Sequence, residues 1–379
     1  MSGQVLAGPA AGAAAAIEAP ETTATGKEHY EVLDGMRGTA ALLVVLYHIQ
    51  GITVGFQQGK MLFAHAYLAV DFFFALSGFV IGYAYDDRWG QMTTRGFFRR
   101  RLVRLHPLVV LGALFGLASY LLDPFAAGAQ NAPLGAVLTA FALTLFLIPN
   151  SPLPNRWTDT HSLNGPAWTL LQEYLANIAY GLVLRRLPPR ALGALAIIAA
   201  LLLFACGAAI GTLDRGYAWE NFWMAPVRLA FPFLAGLLIH RLRDRLPQIR
   251  IGYLWLTLIM FAAFMVPTLP ELGGIKINGI YEALCVILLF PAIVIAGAHS
   301  QAGRGLAGLC RASGRLSYPL YLTHFAFMYV WMNYVLNQQP SSATMLGIAI
   351  ALVPFTLLVA WAAYAWWDLP IRRRLRRDA

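Results

Sequence analysis

The sequence predicts an all-α, polytopic transmembrane helical bundle of about ten crossings, with a re-entrant or interfacial segment and both termini cytoplasmic. Three observations predict it. The chain is 59% hydrophobic and only 12% charged, with a mean hydropathy of +0.60, outside the balance of a soluble domain. Windows of about 17 to 22 apolar residues, long enough to span roughly 30 Å of hydrocarbon, recur from residue 33 to residue 367. The net charge of +10 sits in short connections and in the tail IRRRLRR at 371–377, a positive-inside pattern rather than a nucleic-acid surface.

Candidate segments cover about 33–55, 61–84, 105–122, 133–148, 166–184, 192–210, 222–240, 252–268, 279–297, 316–336 and 343–367. Basic residues cluster after the second of these (Arg88, Arg95, Arg99, Arg100, Arg101, Arg104), the fifth (Arg185, Arg186, Arg190), the seventh (Arg241, Arg243, Arg245, Arg250) and the ninth (Arg304, Arg311, Arg315). Those ends are expected in the cytoplasm. The opposite connections carry only Lys60, Arg156, Arg215 and Lys276, so both termini fall on one side and the number of crossings is even. Eleven segments cannot all cross. The conflict lies between Arg104 and the connection at 149–165, so part of 105–148 is expected to be re-entrant or interfacial.

The domain reading is a disordered cytoplasmic tail over 1–28, a membrane domain over 29–370 and a basic cytoplasmic tail over 371–379. The Ala/Gly/Thr-rich start lacks a basic n-region and a leucine-rich core, which favours a tail over a cleaved signal peptide. Cys206, Cys285 and Cys310 show no CxxC or His-partnered spacing, so neither a disulfide nor a metal is expected. No inverted repeat of the transporter kind stands out.

The stretch DGMRGTAALLVVLYH places Asp34, Arg37 and His48 in an otherwise apolar segment. At 100° per residue, Arg37 and His48 return to within about 20° of one face, roughly 16 Å apart, with Asp34 about 40° away. Polar groups on one stripe of a membrane helix face a cavity or a polar interface. Each alone also has a plainer reading: Asp34 as an N-cap, Arg37 as a snorkelling anchor, His48 as a hydrogen-bonded core histidine.

The same stretch resembles the first-helix signature of the membrane-bound acyltransferase family 3, in which an Arg and a His are separated by ten residues. Further similar stretches follow in order: VDFFFALSGFVIG (70–82), RRRLVRLHP (99–107), LNGPAWTLLQEYLAN (163–177), RLAFPFLAG (228–236), SYPLYLTH (317–324) and WDLPIRRRLRR (367–377). PAWTLLQE fits the family's Pro-x-Trp-Ser-Leu-x-x-Glu pattern, with Thr169 replacing Ser, and Asp368 stands where Glu is more usual. The resemblance implies an O-acyltransferase of the bacterial inner membrane. Its donor is an acyl-CoA, most often acetyl-CoA, and its acceptor a hydroxyl of an extracytoplasmic glycan or lipid-linked sugar. Membrane lipids are the other expected partners; neither a metal nor nucleic acid is implied. Some relatives append a hydrolase-like domain; none follows residue 379 here, so the membrane domain is expected to work alone or with a partner.

An alcohol is a poor nucleophile at neutral pH, so acyl transfer needs a base. His48 is the candidate, as base or as transient acyl carrier. Glu173 is expected to orient or charge-balance it or to hold the acceptor, with pairing to Arg228 as the alternative. Arg37 is placed near the donor entrance. Thr169, Glu173 and Asn177 recur at i, i+4, i+8 on one face, as do Ser317, Tyr321 and His324 at i, i+4, i+7. Arg101 and Arg104, from the family's Arg-x-x-Arg, suit the phosphates of CoA. Ser77 and Gly78 offer close approach to the donor, and Asp71 a partner for a basic group of the first helix. Asp34, Trp168, Asn177, Tyr321 and His324 complete the expected acceptor side. His161, with Asp159, Trp157 and Asn164, is a candidate to meet an incoming sugar, with a solvated loop histidine as the default reading, and Asp368 is read as an arginine partner outside the chemistry. The competing class is a transporter of a small acyl compound or glycan fragment, which makes no bonds; a third reading is an inactive sensor or scaffold with the family's helices.

Overall fold

The computed structural model describes residues 29–126 and 132–377; the expected tail over 1–28 lies outside them. Helices α1 (Glu31–Val54), α2 (Ala69–Tyr85), α3 (Thr94–Leu121), α4 (Leu134–Leu145), α5 (Ala167–Leu182), α6 (Pro189–Ile210) and α7 (Met224–Leu242) make the first part of the bundle. They are followed by α8 (Tyr253–Met265), α9 (Ile277–Leu284), α10 (Phe290–Ala298), α11 (Arg304–Gln338), α12 (Ser342–Ala362) and α13 (Leu369–Arg377). π-helical turns over Cys285–Leu289 and Ala363–Asp368 join α9 to α10 and α12 to α13. The only sheet among the described residues is a hairpin, Glu271–Leu272 against Ile275–Lys276, turning through Gly273 and Gly274 at φ +57° and +81°. Glycine alone adopts that backbone without strain.

Seven of these helical stretches are long and apolar enough to cross a membrane, and α11, α5 and α8 complete the bundle. The twelve residues of α4 reach only about 18 Å, too short to span. Val137 and Ala140 of α4 pack against Tyr120 at one end of α3, while Phe146 and Leu147 reach Leu102 and His106 near the other. The chain then reverses at Leu147, φ +57°, whose carbonyl accepts from His161 at 3.0 Å. Thus α4 runs back along α3 and the chain then turns, the course expected of a re-entrant segment. The full crossing is α3, and it starts at Thr94 rather than near 105, because Thr93 caps it by accepting from Gly96 N–H at 3.1 Å. Likewise α11 starts at Arg304 rather than near 316: its first turns are too polar for a hydropathy window, yet they pack on α1.

Small residues set the closest contacts. A Cβ on Gly38 of α1 would lie 2.4 Å from Ser313 Cβ of α11, and one on Gly314 of α11 2.7 Å from Asp34 Cβ. On α2, a Cβ at Gly78 would sit 2.0 Å from the Phe233 carbonyl oxygen of α7. Membrane helices have little hydrophobic drive toward one another, so such close backbone approach supplies the packing. The main apolar core joins α1, α2, α7 and α10 through Met36, Phe72, Phe79, Leu237 and Phe290. In contrast α6 and α12 turn Ile197, Ile198, Leu201, Leu346, Ile350 and Leu358 outward, as lipid-facing helices do.

Candidate active site

The α1–α11 contact faces one polar stripe with another. Arg37 donates from Nε to Ser317 Oγ at 2.9 Å and from Nη2 to the Gly314 carbonyl at 2.7 Å, and it pairs with Asp34 at 2.9 Å. Three turns along, His48 Nδ1 lies 3.2 Å from His324 Nε2. Asp34 also meets His29 at 3.1 Å, so it serves as an ion-pair partner; no side chain caps α1.

The hydrogen bonds determine which nitrogen of each ring carries the proton. His324 Nδ1 faces two carbonyls, Leu320 at 3.0 Å and Tyr321 at 2.9 Å. Carbonyls only accept, so Nδ1 is protonated and Nε2 of the neutral ring is an acceptor. His48 Nδ1–H therefore donates to His324, with the Val44 carbonyl in reach of the same hydrogen. That leaves His48 Nε2 with its lone pair outward, the form a general base requires. The ring is held edge-on by Phe325, centroids 4.9 Å apart, and by Tyr47 at 5.4 Å.

Toward the basic end of the bundle, Arg101 of α3 is buried and bonds Glu173 of α5 at 2.7 Å, with Ser77 of α2 donating to the same carboxylate at 3.3 Å. Glu173 thus pairs with Arg101, not with Arg228 and not with His48. Arg104 is exposed although Arg37, Arg101, Arg372 and Asp368 surround it. Asp34 holds Arg37, Glu173 holds Arg101 and Asp368 holds Arg372 at 2.8 Å. Among the described residues, Arg37, Arg101 and Arg372 each hold a carboxylate within 3 Å, whereas Arg104 makes no such close pair and feels Asp34 and Asp368 only at longer range.

Other expected site residues stand elsewhere. Gly78 lies in the α2–α7 contact, against the Phe233 carbonyl. Trp168 is buried against Phe74 and beneath Arg228. Tyr321 is bonded to Thr169 at 3.0 Å. Asn177 is buried, and neither side-chain polar atom has a partner. Asp71 pairs with Arg228 of α7, at 2.5 and 3.1 Å, rather than with α1. His161 is not solvated: it is fully buried between the Leu147 carbonyl and Thr160, and burial pushes it down to about 4.

The sequence reading passed over a second buried network at the opposite end. Glu282 accepts from Tyr67 Oη, Leu213 N–H and Asn278 Nδ2, and lies 3.6 Å from His65. Beside it, Tyr47 donates to Asp214 at 3.2 Å, so this network braces the residue next to His48. The available signal was a lone carboxylate in an apolar segment.

This fold and stripe define a polytopic membrane protein with a hydrogen-bonded histidine pair inside its bundle. A family model described as an acyltransferase domain matches residues 30–365, and the chain belongs to that family, the acyltransferase 3 family. "Acyltransferase MdmB" of Streptomyces mycarofaciens is 28% identical over 312 residues, 77% of each chain. "Protein 2 in picA locus" of Rhizobium radiobacter is 36% identical over 164 residues, 40% of this chain and 81% of that protein. No solved structure gives a significant match.

Proposed function

We propose that this acyltransferase moves an acyl group, acetyl in the first instance, from cytoplasmic acyl-CoA to a hydroxyl of a glycan or lipid-linked sugar across a bacterial inner membrane. One observation carries the reading: α1 joins a cluster with surplus positive charge at Arg104 to a histidine whose free nitrogen is basic. Arginine binds phosphate through its fork, and CoA carries a 3′-phosphate and a pyrophosphate. With the phosphates at Arg104, the thioester extends along α1 toward His48. His48 Nε2 takes the hydroxyl proton while the oxygen attacks the thioester carbonyl; the carbon–sulfur bond breaks and the thiolate receives the proton as CoA thiol. His324 holds the tautomer, and the neutral pair avoids two charges side by side in a poorly solvated site.

The test is transfer from radiolabelled acetyl-CoA in proteoliposomes, with matched amounts of wild type and His48→Ala. We expect label in a glycan or lipid-linked fraction with wild type and a loss of roughly 10³-fold in the variant, within the range of general-base catalysis. Equal labelling removes His48 from the mechanism. Movement of labelled compound without CoA release supports transport instead.

A further inference from the structure

The segment IRRRLRR reads as an anchor for the cytoplasmic leaflet, but it folds as α13 against α3, and its arginines are not alike. Arg373, Arg374 and Arg376 are exposed, whereas Arg372 turns inward with a side chain 17% exposed. The π-helical turn Ala363–Asp368 sets this orientation. Trp367 Nε1 donates to the Pro107 carbonyl of α3 at 2.7 Å, and Asp368 is carried inside, 3% exposed. Such turns widen a helix by one residue and often accompany functional sites.

The Asp368–Arg372 pair is incomplete. Arg372 Nη2 reaches Asp368 Oδ2 at 2.8 Å, but Asp368 Oδ1 and Arg372 Nε are both buried without a hydrogen-bond partner. A carboxylate engaged at one oxygen leaves part of the guanidinium fork unused, and a buried unpaired donor is costly. Next to it stands Arg104, exposed, among Arg37 and Arg101, and among the described residues no carboxylate lies within salt-bridge distance of it. Two neighbouring arginines with spare donors form a site for a group with several anionic oxygens.

We propose that α13 completes the donor's phosphate site, with Arg372 binding a phosphate group together with Arg104 and with Asp368 holding Arg372 in position until the donor arrives. This rests on the reading of the donor as acyl-CoA.

The experiment uses the full chain in proteoliposomes, with initial rates for acetyl-CoA and for S-acetylpantetheine, which carries the same thioester arm and no phosphate. Arg372→Gln is expected to raise KM for acetyl-CoA about tenfold, as for one lost charge-assisted hydrogen bond, with kcat within twofold. Arg372→Lys keeps the charge without the fork and is expected to raise it less. With S-acetylpantetheine both variants should match wild type. An unchanged KM for acetyl-CoA, or an equal rise with the phosphate-free donor, overturns the role of Arg372. Should the glutamine variant fail to fold by size-exclusion chromatography, the lysine variant decides between the same outcomes. If wild type uses both donors with equal kcat/KM, the acyl-CoA reading fails, whatever α13 does.

Discussion

His324 carries no charge in this arrangement and touches none of the reacting atoms, yet it determines which nitrogen of His48 is basic. Its two backbone acceptors fix its own proton, and its Nε2 fixes that of His48. In the proposed mechanism it is a positioning residue. His324→Ala is expected to lower kcat by roughly 10²-fold, at the low end of general-base effects, with KM little changed. His324→Gln, whose amide oxygen can accept from His48 Nδ1, should recover part of that loss; equal activities for the two variants would assign His324 to packing alone. Outside the helices, burial pushes the Asp159 carboxyl up to about 7 while Tyr329 donates to it at 2.7 Å. The folded chain thus holds a proton that the unfolded chain releases at its ordinary value of 3.8. By linkage, the stability from this group is full below that value and falls as pH rises through 7. His161, pushed down to about 4, acts oppositely: its contribution is lost as pH falls from about 6.5 toward that value. Asp159→Asn should flatten the change in Tm between about pH 4 and 7, read by scanning fluorimetry, and an unaltered slope would assign it to other groups.

At the scale of elements, two pairs carry the bundle. The α1–α11 pair aligns the Arg37 and His48 stripe with Ser317 and His324, and the α2–α7 pair seats Gly78 and Gly236 against backbone, with Cβ clearances of 2.0 and 1.9 Å. Gly78→Ala is expected to lower thermal stability by about 1–3 kcal/mol through overpacking. Its effect on kcat in the folded fraction should be small, because this surface packs against α7; a selective rise in donor KM would place Gly78 in the binding site. The pattern of α1 was legible because a helix repeats its face at a fixed angle, so Arg37 and His48 needed no partner to be aligned. Their partners were only half legible. Ser317, Tyr321 and His324 share a stripe in sequence, but each meets something different: Arg37, Thr169 and His48.

For the whole molecule, charge parity and helix length agree: α4 is too short to cross, and it dips along α3 before the chain returns through Leu147. Both termini are therefore expected on the cytoplasmic side. A fluorescent protein fused after residue 379 should fluoresce in intact cells, and one inserted at Ser341, between α11 and α12, should not. Fluorescence at both positions would show that the parity is wrong. The surplus charge at Arg104 is likewise a property of the whole molecule, since it arises where α1, α3, α5 and α13 bring more arginines together than there are carboxylates beside them.

Composition, the recurrence of apolar windows and the placement of arginine by themselves determined the class and the stripe of α1 and set the expectation of an even parity. These depend on transfer energies and helical periodicity, which are local quantities. Pairing was decided only by tertiary structure. Asp71 with Arg228, Glu173 with Arg101, the burial of His161 and the inward turn of Arg372 join residues far apart in the chain. A buried charge takes whichever partner the packing brings within about 3 Å, and no spacing along one helix records that choice.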